Sequence, residues 1–289
     1  MRLFKPDCYI IVTTNDERLD LSTVSEKTGR RLDLSFNVFS TKDSQPNEGE
    51  CVIYNLTETT RNKITEGSKV ELFAGYDGIY SLIAIGDIDQ VQNRKPSTDW
   101  VTTIKWGDGK NPYQETNFTK SYKEGSSVKD VLNDIASSFG LAVKGAIDDL
   151  TNNLDGGLSV DGRAKDVLNK ITNDYGLEWS IQDDEVVVVR KDQPIDDEVI
   201  VITQETGLLE FPQVSEKGTD FISQLNPRLR PNKLVDIQSS EFVQVKANSY
   251  ERPPNDSNGI NIVETVRFIG DNFGGQFSSQ VKCKSYESL

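Results

Sequence analysis

Along residues 32–38 the chain alternates, with Leu32, Leu34, Phe36 and Val38 apolar and Asp33, Ser35 and Asn37 polar. A period of two puts every second side chain on one face, so this run predicts a strand with one buried side. Further strands are predicted at 51–55, 70–75, 81–91 and 100–106, the last with Trp100, Thr102, Ile104 and Trp106 sharing a side. The run Asn93-Arg94-Lys95-Pro96-Ser97 carries turn chemistry, which makes 81–106 one long hairpin. A short helix is expected over 57–64, closed by Gly67.

The period then changes. Val128, Val131, Leu132, Ile135, Ala136 and Phe139 fall at the spacing of one helical face, with Ser126 or Ser127 as cap and Gly140 as a left-handed stop. The same design returns 36 residues later, where Lys165-Asp166-Val167-Leu168-Asn169 repeats Lys129-Asp130-Val131-Leu132-Asn133 and Gly176-Leu177 repeats Gly140-Leu141. The second helix leads into a hairpin, 177–181 and 186–189, across Asp183-Asp184-Glu185. After Pro194 strands are expected again, at 199–202, 208–214, 234–239, 242–247, 260–269 and 277–283, with a long polar loop at 251–259. The order is β, then a small α+β part, then β.

The two β segments also resemble each other in order: Val70-Glu71-Leu72 with Val235-Asp236-Ile237, Ile85-Gly86-Asp87 with Ile269-Gly270-Asp271, and 100–105 with 277–282. Such matches point to an internal duplication.

Composition narrows the function. The 289 residues contain no histidine, which removes the usual general base and the Ser-His and Cys-His pairs. Cys8, Cys51 and Cys283 are far apart and odd in number, so neither a disulfide framework nor a thiolate metal site is expected, and Cys8 and Cys51 read as small buried hydrophobes. No export signal and no apolar run of membrane-spanning length is visible, so a soluble protein without membrane insertion is expected. The net charge is −14, and residues 128–198 hold most of it, with 7 Lys and Arg against 16 Asp and Glu. Such a chain repels phosphate backbones.

Chemical motifs are weak. Gly107-Asp108-Gly109-Lys110 lacks the context of a phosphate loop, and Asn153-Leu154-Asp155-Gly156 lacks the acids of a calcium loop, so no cofactor or metal is expected. Asp183-Asp184-Glu185 and Asp196-Asp197-Glu198 read as solvated turns, while Asp87 and Asp89 could share a strand face. A catalytic carboxylate pair would need burial that these runs do not imply. Tyr76, Tyr80 and Tyr113 could stack on sugars, but such residues more often cap strands or fill barrel ends.

The run Tyr54-Asn55-Leu56-Thr57, with Thr60-Arg61, Ile64, Gly67 and Val70-Glu71-Leu72-Phe73-Ala74-Gly75-Tyr76, resembles the N-terminal domain of baseplate hub proteins from contractile-tailed phages. Ile85-Gly86-Asp87, Gly207-Leu208-Leu209, Gln224-Leu225-Asn226-Pro227 and Pro231-Asn232-Lys233-Leu234-Val235 fit the same family. The resemblance implies a mainly β fold with a smaller α+β part. It divides the chain into a tube-like β-barrel domain at 1–119, a small domain with two similar helices at 120–194, and a second tube-like barrel at 195–289. It further implies a homotrimeric, non-enzymatic adaptor in the virion's tail baseplate, assembled in the host cytoplasm and joining a sixfold tail tube to a threefold central spike. The implied partners are a tail tube or tube-initiator protein, the spike, other baseplate proteins, and DNA that passes without specific binding. Arg94, Lys95, Pro96, Trp100, Trp106, Arg228 and Arg230 are the expected interface residues. The rival readings are a tail-associated wall hydrolase and a glycan-binding module.

Overall fold

The computed structural model describes residues 5–22, 31–107, 116–145, 150–215, 218–244 and 259–286. Residues 108–110 of the glycine-rich turn, Tyr113, residues 245–247 of an expected strand and nearly all of the 251–259 loop lie outside them. The first β segment forms β1 (Pro6–Thr13), β2 (Arg18–Asp20), β3 (Leu34–Thr41), β4 (Glu48–Tyr54), the short helix α1 (Glu58–Lys63), β5 (Lys69–Tyr76), β6 (Ile79–Arg94) and β7 (Val101–Gly107). The middle holds β8 (Asn117–Tyr122), α2 (Val128–Ser138), β9 (Ala142–Gly145), β10 (Leu158–Arg163), α3 (Ala164–Asp174), β11 (Leu177–Gln182) and β12 (Glu185–Arg190). The last segment holds β13 (Val199–Ile202), β14 (Gln213–Ser215), β15 (Gly218–Gln224), β16 (Leu234–Ile237), β17 (Val243–Gln244), β18 (Gly259–Asp271) and β19 (Phe277–Ser285). The protein is mainly β, as its period-two runs require.

Both β segments enter one 14-stranded sheet, whose path runs β17-β14-β15-β19-β18-β3-β4-β7-β6-β5-β1-β2, with β16 and β13 branching from β18. The seam is the antiparallel pair β3·β18, from Thr41↔Thr265 to Ser35↔Asp271. One core of buried side chains, including Ile10, Phe36, Ile53, Leu72, Ile104, Val235 and Phe268, runs across that seam. At its end β1 returns toward β3 without pairing to it, and Asn272 fills the gap. Its side chain accepts from the Leu34 N–H (2.9 Å) and donates to the carbonyls of Leu32 (2.9 Å) and Cys8 (3.5 Å). Asn272→Ala is expected to cost about 2 kcal/mol in urea denaturation, because it strands partly buried backbone groups; a loss under about 0.5 kcal/mol would show that Asn272 does not hold this closure.

The two β segments repeat one another in register. β6 and β18 each carry a one-residue bulge, at Asp89 and at Glu264. On one side of the bulge Ile88↔Trp106 and Gln90↔Lys105 correspond to Val263↔Cys283 and Thr265↔Lys282. On the other, Val70↔Gly86 corresponds to Val235↔Asn261. Gly67 and Asn232 both take positive φ and donate their N–H to the residue before the bulge, Ile88 at 2.8 Å and Val263 at 2.9 Å. The sequence matches at 70–72 with 235–237 and at 100–105 with 277–282 are therefore in register. The third is not: the counterpart of Ile85-Gly86-Asp87 is Ile260-Asn261-Ile262, and Ile269-Gly270-Asp271 lies at the far end of β18. Each repeat also departs from the other, since β1 pairs antiparallel with β5 whereas β13 pairs parallel with β16.

The middle residues have a core of their own. The apolar faces of α2 (Val131, Leu132, Ile135) and α3 (Val167, Leu168, Ile171) are buried there with Trp179 and Val188. Gly140 has φ +74, its N–H reaches Ser137 O and the Leu141 N–H reaches Ala136 O, the paired bonds that close a helix on a glycine. Ser127 holds the N-cap position, but its side chain makes no capping bond; the Val128 N–H is met by Asn152 O at 3.0 Å instead.

Strand assignment differs from the sequence pattern in several places, and β1, β2, β8, β9 and β10 are strands that the pattern does not predict. Of 208–214 only Gln213 and Val214 lie in a strand, β14, with Leu208 as an isolated bridge to Ser223. β15 was not anticipated, because its buried face reads Thr219, Phe221, Ser223 and shows no apolar alternation.

Candidate assembly surface

The hairpin of β6 and β7 ends in Arg94, Lys95 and Pro96, all exposed. Its base is held in place. Asn55, at φ +56, donates its N–H to Trp100 O (2.8 Å) and its side chain to Asp99 (3.0 Å), and accepts from the Trp100 N–H (3.1 Å). The buried Arg61 lays its guanidinium on the Trp100 ring, 3.9 Å from the centroid, and donates to Leu56 O. A charged tip on a fixed stem is a surface that can dock without first being ordered.

Two of the expected interface residues face inward. Trp106 is 3% exposed, its indole lying where Gly49 and Gly86 of the flanking strands have no side chains. Arg230 works within the chain: its guanidinium donates to Ile83 O (2.6 Å) and Leu82 O (2.9 Å), sits over Phe268 and approaches Asp183 at 3.5 Å. Arg228 is exposed and bonded to Glu198 at 2.7 Å. Arg94, Lys95, Pro96 and Trp100 thus share one place, and Arg228 stands on the 225–233 connection.

The middle part is docked on both repeats by polar contacts that the sequence did not reveal. The β11–β12 turn is Asp183-Asp184, both at positive φ, as a two-residue hairpin turn requires. Lys69 of the first repeat holds Asp184, and Arg230 of the second faces Asp183. Asn47 donates to Ile181 O (2.9 Å) and Gln182 Oε1 (3.0 Å), and Gln182 donates to Thr41 O (2.6 Å). Lys42 gathers Glu264 (3.3 Å), Asp192 (3.9 Å) and Glu178 (4.0 Å). The turn expected to be solvated acid is a docking point instead. Burial raises the Asp183 carboxyl above its ordinary value, with Arg230 opposing, and burial raises Asp87 likewise, with Lys69 opposing.

The residues considered for chemistry have structural roles. Tyr76 accepts the Leu225 N–H at 2.9 Å across the two repeats and packs edge-on against Phe277; burial raises its hydroxyl to about 12. Tyr80 donates to Asp7 (2.7 Å), accepts from Arg31 (3.2 Å) and meets Tyr9 edge-on. Cys8, Cys51 and Cys283 are buried thiols whose pKa values burial pushes up, so they are poor nucleophiles.

Two exposed features stand out among the described residues. The sheet's outer face across the seam forms an open groove lined by Asn37, Phe39, Glu50 and Lys105, with Arg267 lying over Phe39 between the two repeats. At the far edge, Leu209, Phe211 and Val243 expose 52, 42 and 49% of their surface around β14 and β17, beside the exposed Glu210 and Glu241. Exposed apolar side chains near a strand edge make this a candidate contact site.

The family model described as "Baseplate hub gp41" matches residues 12–242. No curated protein sequence matches the chain. Among solved structures, the chain is similar to the 43 kDa tail protein of prophage MuSo2 from Shewanella oneidensis (TM-score 0.63, 7% identity, 96% of this chain and 97% of that one). It is similar to the tail protein from Neisseria meningitidis MC58 (TM-score 0.62, 12% identity, 96% of both chains). It is also similar to the E. coli c3393 protein, a type VI secretion system component described as similar to the T4 tail proteins gp27 and gp5 (TM-score 0.54, 9% identity, 88% of this chain and 74% of that one). With a family model spanning most of its length and a fold shared with phage tail proteins, the chain belongs to the Baseplate hub gp41 family, structural proteins of the phage tail.

Proposed function

We propose that this protein is the hub of a contractile-tail baseplate, a homotrimer that surrounds the channel and joins a sixfold tail tube to a threefold central spike. Residues 1–119 and 195–289 supply two tube-like units per chain, and residues 120–194 form a docked module at their rim. Three copies then present six similar units to the tube while keeping threefold symmetry toward the spike. The observation that carries this reading is the in-register repeat about the Asp89 and Glu264 bulges, since a symmetry adaptor needs two like surfaces in one chain. The role is structural and not enzymatic, and DNA passes without specific contacts. Tail tube or tube-initiator protein, spike and other baseplate proteins are the partners, in a virion assembled in the host cytoplasm.

The test is mass by light scattering across a concentration series, with electron microscopy of the oligomer. The expected result is a mass of three chains and threefold rings of six lobes around an opening. A monomer that stays monomeric when spike and tube proteins are added would overturn the proposal. Deleting 94–98, the charged tip with Arg94, Lys95 and Pro96, is expected to weaken the trimer at least tenfold; unchanged assembly would remove the tip from the interface.

A further inference from the structure

The repeat shows one junction that is filled in one half of the chain and open in the other. In the second repeat, the stretch of β18 after its bulge has a partner on both sides: β19 on one, and β3 of the first repeat on the other, from Thr265↔Thr41 to Asp271↔Ser35. The equivalent stretch of the first repeat is Gln90–Arg94 of β6, since Gln90↔Lys105 corresponds to Thr265↔Lys282. β7 pairs with it on one side, but β5 stops at Lys69↔Asp87, and among the described residues no strand pairs the other side. The side chains report the same vacancy. Val266 and Phe268 are fully buried under the filled junction, whereas their counterparts Val91 and Asn93 are half-buried and exposed. A row of unpaired backbone groups on a rigid strand recruits another strand.

The strand that fills the junction within the chain also has a counterpart. β3 borders β4 as β14 borders β15, with Asn37↔Glu50 corresponding to Gln213↔Asp220. β14 is capped by β17, through Gln213↔Val243, and among the described residues β17 is the outermost strand of that end of the sheet. β17 runs parallel to β14, so it keeps the direction that β3 has at the filled junction. It carries the exposed Val243, next to Leu209 and Phe211, with Glu210 and Glu241 beside it; the open edge ends in Arg94 and Lys95. The acidic Glu210 and Glu241 beside β17 are opposite in charge to Arg94 and Lys95 of the open edge.

We infer that the open edge of β6 at Gln90–Arg94 takes the β17 edge of a second copy of this chain, so that the β3·β18 seam within each chain is reproduced between chains. The contact is head-to-tail and closes a ring when three copies make it. It rests on the trimeric hub reading and names the surfaces that make that trimer. Face alternation places Val243 on the side of Gln213, and this is the side of Gln90, Gln92 and Arg94.

The test is disulfide trapping in the full chain, for which the three native thiols, all buried, are silent. Val243→Cys is combined in turn with Gln90→Cys, Gln92→Cys and Arg94→Cys, since opposed strand residues lie within disulfide reach. The expected result is an oxidation-dependent ladder of dimer and closed trimer for at least one pair and for none of the single variants. Light scattering of the reduced proteins separates the two failures. Trimers with no interchain disulfide from any pair overturn the edge assignment and leave the trimer standing. A monomer at every concentration, and no ladder, overturns the assignment together with the ring.

Discussion

Gly49→Thr alone should abolish the native fold or cost more than about 4 kcal/mol. A Cβ on Gly49 would sit 2.1 Å from Trp106 Cε2, and one on Gly86 would sit 2.7 Å from Cδ1 of the same ring. These strands flank β7 on either side, so the indole lies in the space that two glycines leave. Trp106→Cys should fail for the opposite reason, by opening a cavity that costs about 3–5 kcal/mol. The second repeat has solved the same packing problem another way. Cys283 stands at the position of Trp106, with Thr219 and Asn261 at the positions of Gly49 and Gly86, and all three are buried. Large between small has become small between larger. The triple variant Gly49→Thr, Gly86→Asn, Trp106→Cys should therefore recover most of the stability that either single change loses, read as urea midpoints. If the triple is as unstable as the singles added together, the two repeats do not share this packing unit.

Arg230→Met should cost about 3 kcal/mol, because one guanidinium serves three parts of the molecule. It holds two backbone carbonyls of β6, lies over Phe268 and offsets the burial of Asp183 at the docked turn. A methionine keeps the packing and removes the charge. The pH dependence is a second readout. The Asp183 carboxyl is raised in the folded chain, so it takes up a proton more readily there than in the unfolded chain. Its cost is therefore present at neutral pH and fades as pH falls through the raised value toward the ordinary one. Without Arg230 the carboxyl rises further, and the variant should gain more from acidification than the parent does. The stability gap between the two should narrow from pH 7 to pH 5. A gap that stays constant would mean that Arg230 acts through its carbonyl bonds and packing alone. Asp183→Asn in the Arg230→Met background should recover part of the loss at pH 7, since asparagine tolerates the positive φ at this position.

Much of the local structure was legible in the residues. The alternation at 32–38 and 100–106 reports which side chains are wet, and the strands there form as read, with Thr102, Ile104 and Trp106 inside. The two helices, their 36-residue repeat and the glycine stops follow from spacing and from the conformational freedom of Gly140 and Gly176. β15 escaped because Thr219 and Ser223 are buried through the crowding of their neighbours, which no polarity pattern records. Trp106 and Arg230 were placed on the surface for a related reason: aromatic and arginine residues are common at interfaces, and sequence does not say whether a glycine pair or a buried carboxylate waits opposite.

The sequence by itself determined the strand and helix periods, the absence of histidine chemistry, the acidic middle and a faint duplication. Each depends on neighbours a few residues apart or on composition. The register of the duplication, the seam that joins residues 35–41 to 265–271, the docking of Asp183 and Asp184, and the open edge of β6 were decided only by the tertiary structure. The physical reason is that the partner completing such an edge or ion pair stands far away in the chain, 47 residues for Arg230 and Asp183 and 236 for Ser35 and Asp271. Local pattern states which face a side chain turns, whereas only the assembled sheet states what that face meets.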